Sequence, residues 1–248
     1  MTDVPAPAEC SFRCLVLDAV DAPALAAFWA GATGREVEDQ GADGLLLRHG
    51  ADDPRELLWV DPVPEARSGR TRVRLDLQLP AHDVTPLLLA GARLLSAPRD
   101  GAQWWVLEDP EGNELTAMPP PPPELHVPPV DVPTPYELVV DAADPHALAG
   151  WWAARTGGAA RRRPTTSFSW VEGAAAFPYL FWMFVPETAP RAVKNRMHWD
   201  VVLRDPDPSA LVAAGATVLR EPDLGGGIDW WVLADPEGNE FCAFAPGA

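Results

Sequence analysis

Cysteine, basic charge and long apolar runs are all scarce in this chain. Three cysteines, Cys10, Cys14 and Cys242, make neither a disulfide framework nor a Cys-x-x-Cys metal spacing. They fit a reducing compartment, as small apolar side chains. Nineteen Lys and Arg stand against thirty-six Asp and Glu, a formal net charge of −17. Phosphate-bearing partners would be repelled, which excludes nucleic acid and anionic membrane. No uncharged span is long enough to cross a bilayer, and residues 1–9 are acidic and Pro-rich, without the basic and apolar regions of a signal peptide. The expectation is a cytoplasmic protein that meets small molecules.

What the chain does have is one phrase said twice. Trp-Trp-Val-Leu-Glu-Asp-Pro-Glu-Gly-Asn-Glu at 104–114 returns at 230–240 with a single change, Ala234 for Glu108. A repeat of this length outside low-complexity sequence points to duplication. The apolar run reads as a strand and Asp-Pro-Glu-Gly-Asn as a tight reversal, so each copy predicts a β-hairpin with a carboxylate, Glu114 or Glu240, first after the turn. The offset is about half of the 248 residues, which predicts two domains. Their expected bounds are 1–118 and 134–248. The Pro-rich stretch 119–133 reads as a semi-rigid polyproline II linker that includes His126.

The halves also agree in order. Residues 12–17 read as a strand, Asp21-Ala22-Pro23 as a cap, and 24–34 as a helix ended by glycine. The same signals return at 136–140, Asp144-Pro145 and 147–157. Short apolar strands follow at 44–48 and 56–61, and at 167–171 and 178–185. A second cycle then begins with a strand (72–79, 196–203), a short helix (82–90, 206–214) and a strand (92–95, 216–219) before the hairpin. Each half is strand, helix, three strands, twice over, an α+β fold. The run Arg161-Arg162-Arg163 is expected to be a solvated loop rather than an anion site.

Alternation within strands separates a packing face from a polar one. In 196–203 the set Met197, Trp199, Val201 and Leu203 is apolar, while Arg196, His198 and Asp200 share the other face. In 72–79, Arg72, Arg74, Asp76 and Gln78 oppose Val73, Leu75, Leu77 and Leu79. Glu137 lies on the opening strand of the second half, and Glu240, Cys242 and Phe244 share a face after the last hairpin. If helices cover one side of a curved sheet, Glu137, His198 and Glu240 converge on its concave side. One imidazole and two carboxylates can hold Mn²⁺, Fe²⁺, Ni²⁺, Co²⁺ or Zn²⁺. The competing reading is an ion-pair network in which Arg196 and His198 satisfy Asp200 and Glu240. In the first half the matching positions carry Cys14, Arg74 and Glu114. A guanidinium cannot ligate a cation. Arg74 is therefore expected to pair with Glu114 in a degenerate, metal-free site.

These residues and this paired strand-helix-three-strand order resemble the vicinal oxygen chelate superfamily, which includes glyoxalase I, bleomycin-resistance proteins and extradiol dioxygenases. The resemblance rests on 194–200, Lys-Asn-Arg-Met-His-Trp-Asp, and on the last hairpin through Cys242. It implies two tandem glyoxalase-like domains, each of paired βαβββ modules forming a curved, mostly antiparallel sheet with a concave pocket. It also implies that Glu137, His198 and Glu240 are the metal ligands. Extradiol dioxygenases are similar but use two histidines and one carboxylate, so Glu137 counts against oxygen activation. Glyoxalase I looks to need a carboxylate from the fourth strand, and 178–185 has none.

Two functions follow. One is a metal-dependent lyase or isomerase acting on a small molecule with neighbouring oxygens, in which Glu240 and Asp200 move protons. The other is a metal-free protein of the bleomycin-resistance kind that sequesters an aromatic or amphipathic compound. Eleven tryptophans motivate the second, although Trp29, Trp152 and Trp199 sit at core positions. Arg196, Trp230, Trp231, Cys242 and Phe244 are the expected ligand contacts. The chain is expected to be a monomer with its domains paired internally, or a homodimer.

Overall fold

Asp21 and Asp144 start two helices by the same chemistry. The Asp21 carboxylate accepts the Ala24 N–H at 3.1 Å, and that of Asp144 accepts the N–H groups of His146 and Ala147 at 3.1 and 3.0 Å. Each helix has a proline in its first turn, where no N–H is needed, and ends on a left-handed glycine, Gly34 or Gly157. In the computed structural model, which describes residues 7–49, 58–99, 102–125, 127–187, 194–223, 225 and 228–247, these are the two long helices.

The first half runs β1 (Cys10–Ala19), α1 (Ala22–Thr33), β2 (Glu36–Asp39), β3 (Leu45–Arg48), β4 (Leu58–Pro62), β5 (Val73–Gln78), α2 (Thr85–Ala90), β6 (Arg93–Ser96), β7 (Trp105–Glu108) and β8 (Glu114–Met118). The second runs β9 (Thr134–Ala142), α3 (Pro145–Thr156), β10 (Ala159–Arg162), β11 (Ser169–Glu172), β12 (Phe181–Pro186), β13 (Met197–Leu203), α4 (Ser209–Ala213), β14 (Thr217–Arg220), β15 (Trp231–Ala234) and β16 (Glu240–Phe244). Residues 56 and 57, expected in β4, lie outside the described residues, as does His126. The short helices α2 and α4 start later than expected. Asp83 and Asp207 each accept an N–H two residues on, from Thr85 at 2.9 Å and Ser209 at 2.6 Å, which holds the preceding segment in a turn.

Two strands carry no apolar pattern and are defined by main-chain pairing. β2 is exposed along its whole length and β10 is half polar. The arginine run was expected to be a loop, but Arg161 and Arg162 lie in β10 and Arg161 Nε meets Glu172 Oε2 at 2.9 Å. Both strands stand at sheet edges, where charged side chains discourage further pairing.

The strands form two eight-stranded mixed sheets. One has the order β14-β15-β16-β13-β1-β4-β3-β2, the other β10-β11-β12-β9-β5-β8-β7-β6. Among the described pairings, β13 with β16 and β5 with β8 are parallel, and both hairpins are antiparallel. Each sheet thus combines the first strands of one half with the last strands of the other. The chain divides into two compact units, Val16–Val139 and Met1–Leu15 with Val140–Ala248. β1 and β9 each cross a unit boundary, and the Pro-rich stretch belongs to Val16–Val139, where Gln78 Nε2 donates to the Pro128 carbonyl at 3.2 Å.

The repeated phrase acts as a structural lock. Within Val140–Ala248, Asp235 Oδ1 accepts the N–H groups of Glu237 and Asn239, both at 2.9 Å. Its Oδ2 accepts Asn239 Nδ2 at 2.9 Å and Trp152 Nε1 at 3.2 Å. Glu237 reaches the start of α3, accepting the Ala143 and Asp144 N–H groups at 2.7 and 2.8 Å. In Val16–Val139 the same bonds recur: Asp109 holds Glu111, Asn113 and Trp29, and Glu111 accepts the Asp21 N–H at 2.8 Å. Gly112 and Gly238, both at φ +79°, allow the reversal. Trp152 also anchors an aromatic core, with ring centroids 5.0, 5.2 and 5.1 Å from Trp182, Trp199 and Phe241. As expected, Trp29, Trp152 and Trp199 are buried.

Candidate active site

Trp199 and Phe241 face α3, so their neighbours on β13 and β16 face the other way. Trp199 pairs with Phe241 and Asp200 with Cys242. One step back in the same parallel register, His198 stands beside Glu240. His198, Asp200, Glu240 and Cys242 therefore share the face opposite the helix. His198 Nε2 lies 3.7 Å from Asp200 Oδ1 and 3.6 Å from Cys242 Sγ. Cys14, on β1, donates its thiol proton to Asp200 Oδ2 at 3.4 Å. Burial pushes the Cys14 thiol well above its ordinary range, and the Asp200 charge pushes the same way. Cys14 is thus a neutral donor that orients Asp200.

An aromatic stack adjoins this group. The Trp230 ring lies on Phe244 at 5.3 Å and 27°, and the Arg13 guanidinium sits over Phe244 at 4.0 Å. Trp231 was expected among the ligand contacts. It pairs with Ala243, whereas Val232 pairs with Cys242, so Trp231 projects to the opposite face. Consecutive strand residues cannot both line one surface. Arg196 is buried just before β13.

Glu137 is not part of this cluster. It lies on β9, in the other sheet and the other compact unit from His198 and Glu240. Its neighbours are those of β5 and β8, which repeat the seats of β13 and β16 with Arg74 for His198, Asp76 for Asp200, Glu114 for Glu240 and Thr116 for Cys242. Arg74 Nε lies 3.4 Å from Asp76 Oδ2, and Asp76 Oδ1 accepts the Thr116 N–H at 2.8 Å. Arg74 therefore pairs with Asp76, not with Glu114 as expected, and Glu114 meets Arg70 at 3.5 Å. Asp76 stands two residues from Arg74 on the same face of β5, and its burial makes it the carboxylate that most needs a counter-charge. Burial, and then the charge of Asp76, raise the Glu137 carboxyl to about 7, against the pull of Arg74.

The paired modules match a known family. The glyoxalase-like domain family matches residues 14–118 and again 137–244. The chain belongs to the glyoxalase-like domain family. Solved glyoxalase-like structures agree in fold. Glyoxalase I from Zea mays is similar with a TM-score of 0.60 at 12% identity, covering 94% of this chain and 92% of the maize protein. A candidate dioxygenase from Bacillus subtilis is similar with a TM-score of 0.61 at 12% identity, covering 98% of this chain and 87% of that one. At such identity these likenesses carry the fold alone. No curated protein matches the chain. Among the described residues, no helix is long and apolar enough to cross a membrane.

Cys14, on the strand beside β13, thus stands with His198 and Glu240 where Glu137 was expected, and Asp200 and Cys242 lie two residues further along β13 and β16. The donor set fits an ion. His198 Nε2, Asp200 and Cys242 Sγ each offer an atom, and these atoms lie within 4.8 Å of one another. Sequence reasoning did not set Asp200 and Cys242 together with His198 as one donor group, and it put Cys14 in the other half's site. Part of the signal was present in the alternation, which set Asp200 on the face of His198 and Cys242 on the face of Glu240.

Proposed function

We propose that the chain is a divalent-metal-dependent enzyme of the lyase or isomerase kind, acting on a small molecule with two neighbouring oxygens. The convergence of His198, Asp200 and Cys242 on one sheet face, beside Glu240, supports this reading. An ion bound there would supply Lewis-acid polarisation of the substrate oxygens. The chain's own residues do the rest. The Trp230–Phe244 stack offers a flat surface to an unsaturated or aromatic part of the substrate, and Arg13, over the Phe244 ring, adds positive charge. Asp200 is tied to Cys14 on one side, so the role of moving a proton falls to Glu240, half-exposed on the same face.

The purified full-length chain is expected to bind about one divalent ion by elemental analysis, and His198→Ala to lose it. A wild-type protein that stays free of metal after reconstitution with Zn²⁺, Mn²⁺, Ni²⁺ and Co²⁺ would sink the enzymatic reading.

The aromatic stack also favours a second reading, a metal-free binder of a planar aromatic compound. Chelator-treated protein that still binds aromatic compounds with quenching of Trp230 fluorescence, lost in Trp230→Ala, would support it.

A further inference from the structure

The metal-dependent reading above, on which this inference rests, leaves the ligand set open, and the chemistry of the cluster differs between its two ends. The family resemblance named Glu137, His198 and Glu240, and in this sheet Cys14, on the strand beside β13, stands where Glu137 was expected. Asp200 and Cys242 lie one strand repeat further along, facing each other across the parallel pair β13 and β16. We infer that this sheet holds a sulfur-ligated site of the Zn²⁺ type, with His198 Nε2, the Asp200 carboxylate and the Cys242 thiolate as protein ligands and a fourth position for water or a substrate oxygen.

Spacing carries the inference. Two ligand atoms at ordinary zinc–nitrogen and zinc–sulfur distances, held at the tetrahedral angle, stand roughly 3.5 Å apart. His198 Nε2 already lies 3.6 Å from Cys242 Sγ and 3.7 Å from Asp200 Oδ1. The three donors ride on two hydrogen-bonded neighbouring strands, so little reorganisation is needed to close around an ion. Cys14 supports the set from behind. Its thiol holds Asp200 Oδ2 and leaves Oδ1 directed at His198.

The alternative use of these thiols is excluded by topology. β1 and β16 flank β13, so Cys14 and Cys242 are separated by two strand spacings, about 9.5 Å. A disulfide needs α-carbons within about 7 Å. All three cysteines are free. Sulfur also sets the metal class. A thiolate with imidazole and carboxylate favours Zn²⁺ or Co²⁺ over the oxygen-seeking Mg²⁺ and Mn²⁺. Loading the site converts the Cys242 thiol to thiolate, and the displaced proton passes to buffer, one per ion.

The test is titration of metal-free, full-length protein with Co²⁺, read by absorbance. The expected result is a near-ultraviolet cysteine-to-cobalt charge-transfer band with intense tetrahedral visible bands, reversed by Zn²⁺ and accompanied by proton release. Cys242→Ser should abolish the charge-transfer band and weaken Co²⁺ binding by on the order of 100-fold. Cys14→Ser and Glu240→Gln should keep the band. Tight Co²⁺ binding without the band, lost in Glu240→Gln and unchanged in Cys242→Ser, would overturn the sulfur ligation while leaving a metal-dependent enzyme standing. A band lost in Cys14→Ser instead would overturn the assignment to Cys242. No binding of Co²⁺ or Zn²⁺ by the wild-type chain would overturn both this inference and the metal reading.

Discussion

Asp235→Ala is expected to lower the unfolding free energy of its unit by about 3–5 kcal/mol, a loss larger than most single substitutions produce. Four donors converge on this buried carboxylate: the N–H groups of Glu237 and Asn239, the Asn239 amide and the Trp152 indole. Alanine would leave the indole of the fully buried Trp152 and the Asn239 amide without an acceptor. Unpartnered buried donors cost more than the bonds they once made contribute. The turn would also release Glu237 from the start of α3, loosening the tie between the last hairpin and that helix. Urea denaturation followed by tryptophan fluorescence measures the effect, with Asp205→Ala, an exposed neighbour of Arg204, as the control. A loss below about 1 kcal/mol would contradict the lock. Asp109→Ala should repeat the result in Val16–Val139, where Trp29 takes the place of Trp152.

Glu137→Gln is expected to do the reverse, and only at high pH. Burial and the Asp76 charge raise the Glu137 carboxyl from 4.5 to about 7 in the folded chain. Between those values the folded state binds more protons than the unfolded one, so this group makes stability fall as pH rises through the window and then level off. The full size is about 3 kcal/mol, at 1.36 kcal/mol per pKa unit. Glutamine cannot ionise. The variant should therefore match the wild type near pH 4 and exceed it by up to about 3 kcal/mol at pH 8. Parallel urea titrations at the two pH values decide the matter, and identical pH dependence in both proteins would show that Glu137 is not held in its neutral form.

The same two sites show how far local reasoning reaches. Both hairpins, both long helices and the polar faces of β5 and β13 were legible, because turn chemistry, capping and two-residue alternation act between near neighbours in the chain. β2 and β10 were not, since edge strands of Glu, Asp and Arg are held by main-chain bonds that carry no side-chain signature. The face of each candidate was readable, with Asp200 set on the face of His198 and Cys242 on that of Glu240 by parity alone.

Partnership between strands was another matter. Alternation says which way a side chain points but not which strand lies next to it, because the ladder hydrogen bonds are the same for every sequence. Reading each half as a self-contained domain set Glu137 with His198 and Cys14 with Arg74. The tertiary structure exchanges them, since β13 neighbours β1 and β9 neighbours β5. A half-buried carboxyl thus goes to the arginine site, where it is raised to about 7, and a buried thiol goes to the histidine site, where it orients Asp200. By itself the sequence determined the duplicated modules, their turns and the faces of their strands. Only the tertiary structure, through the packing of whole sheets, decided which residues meet.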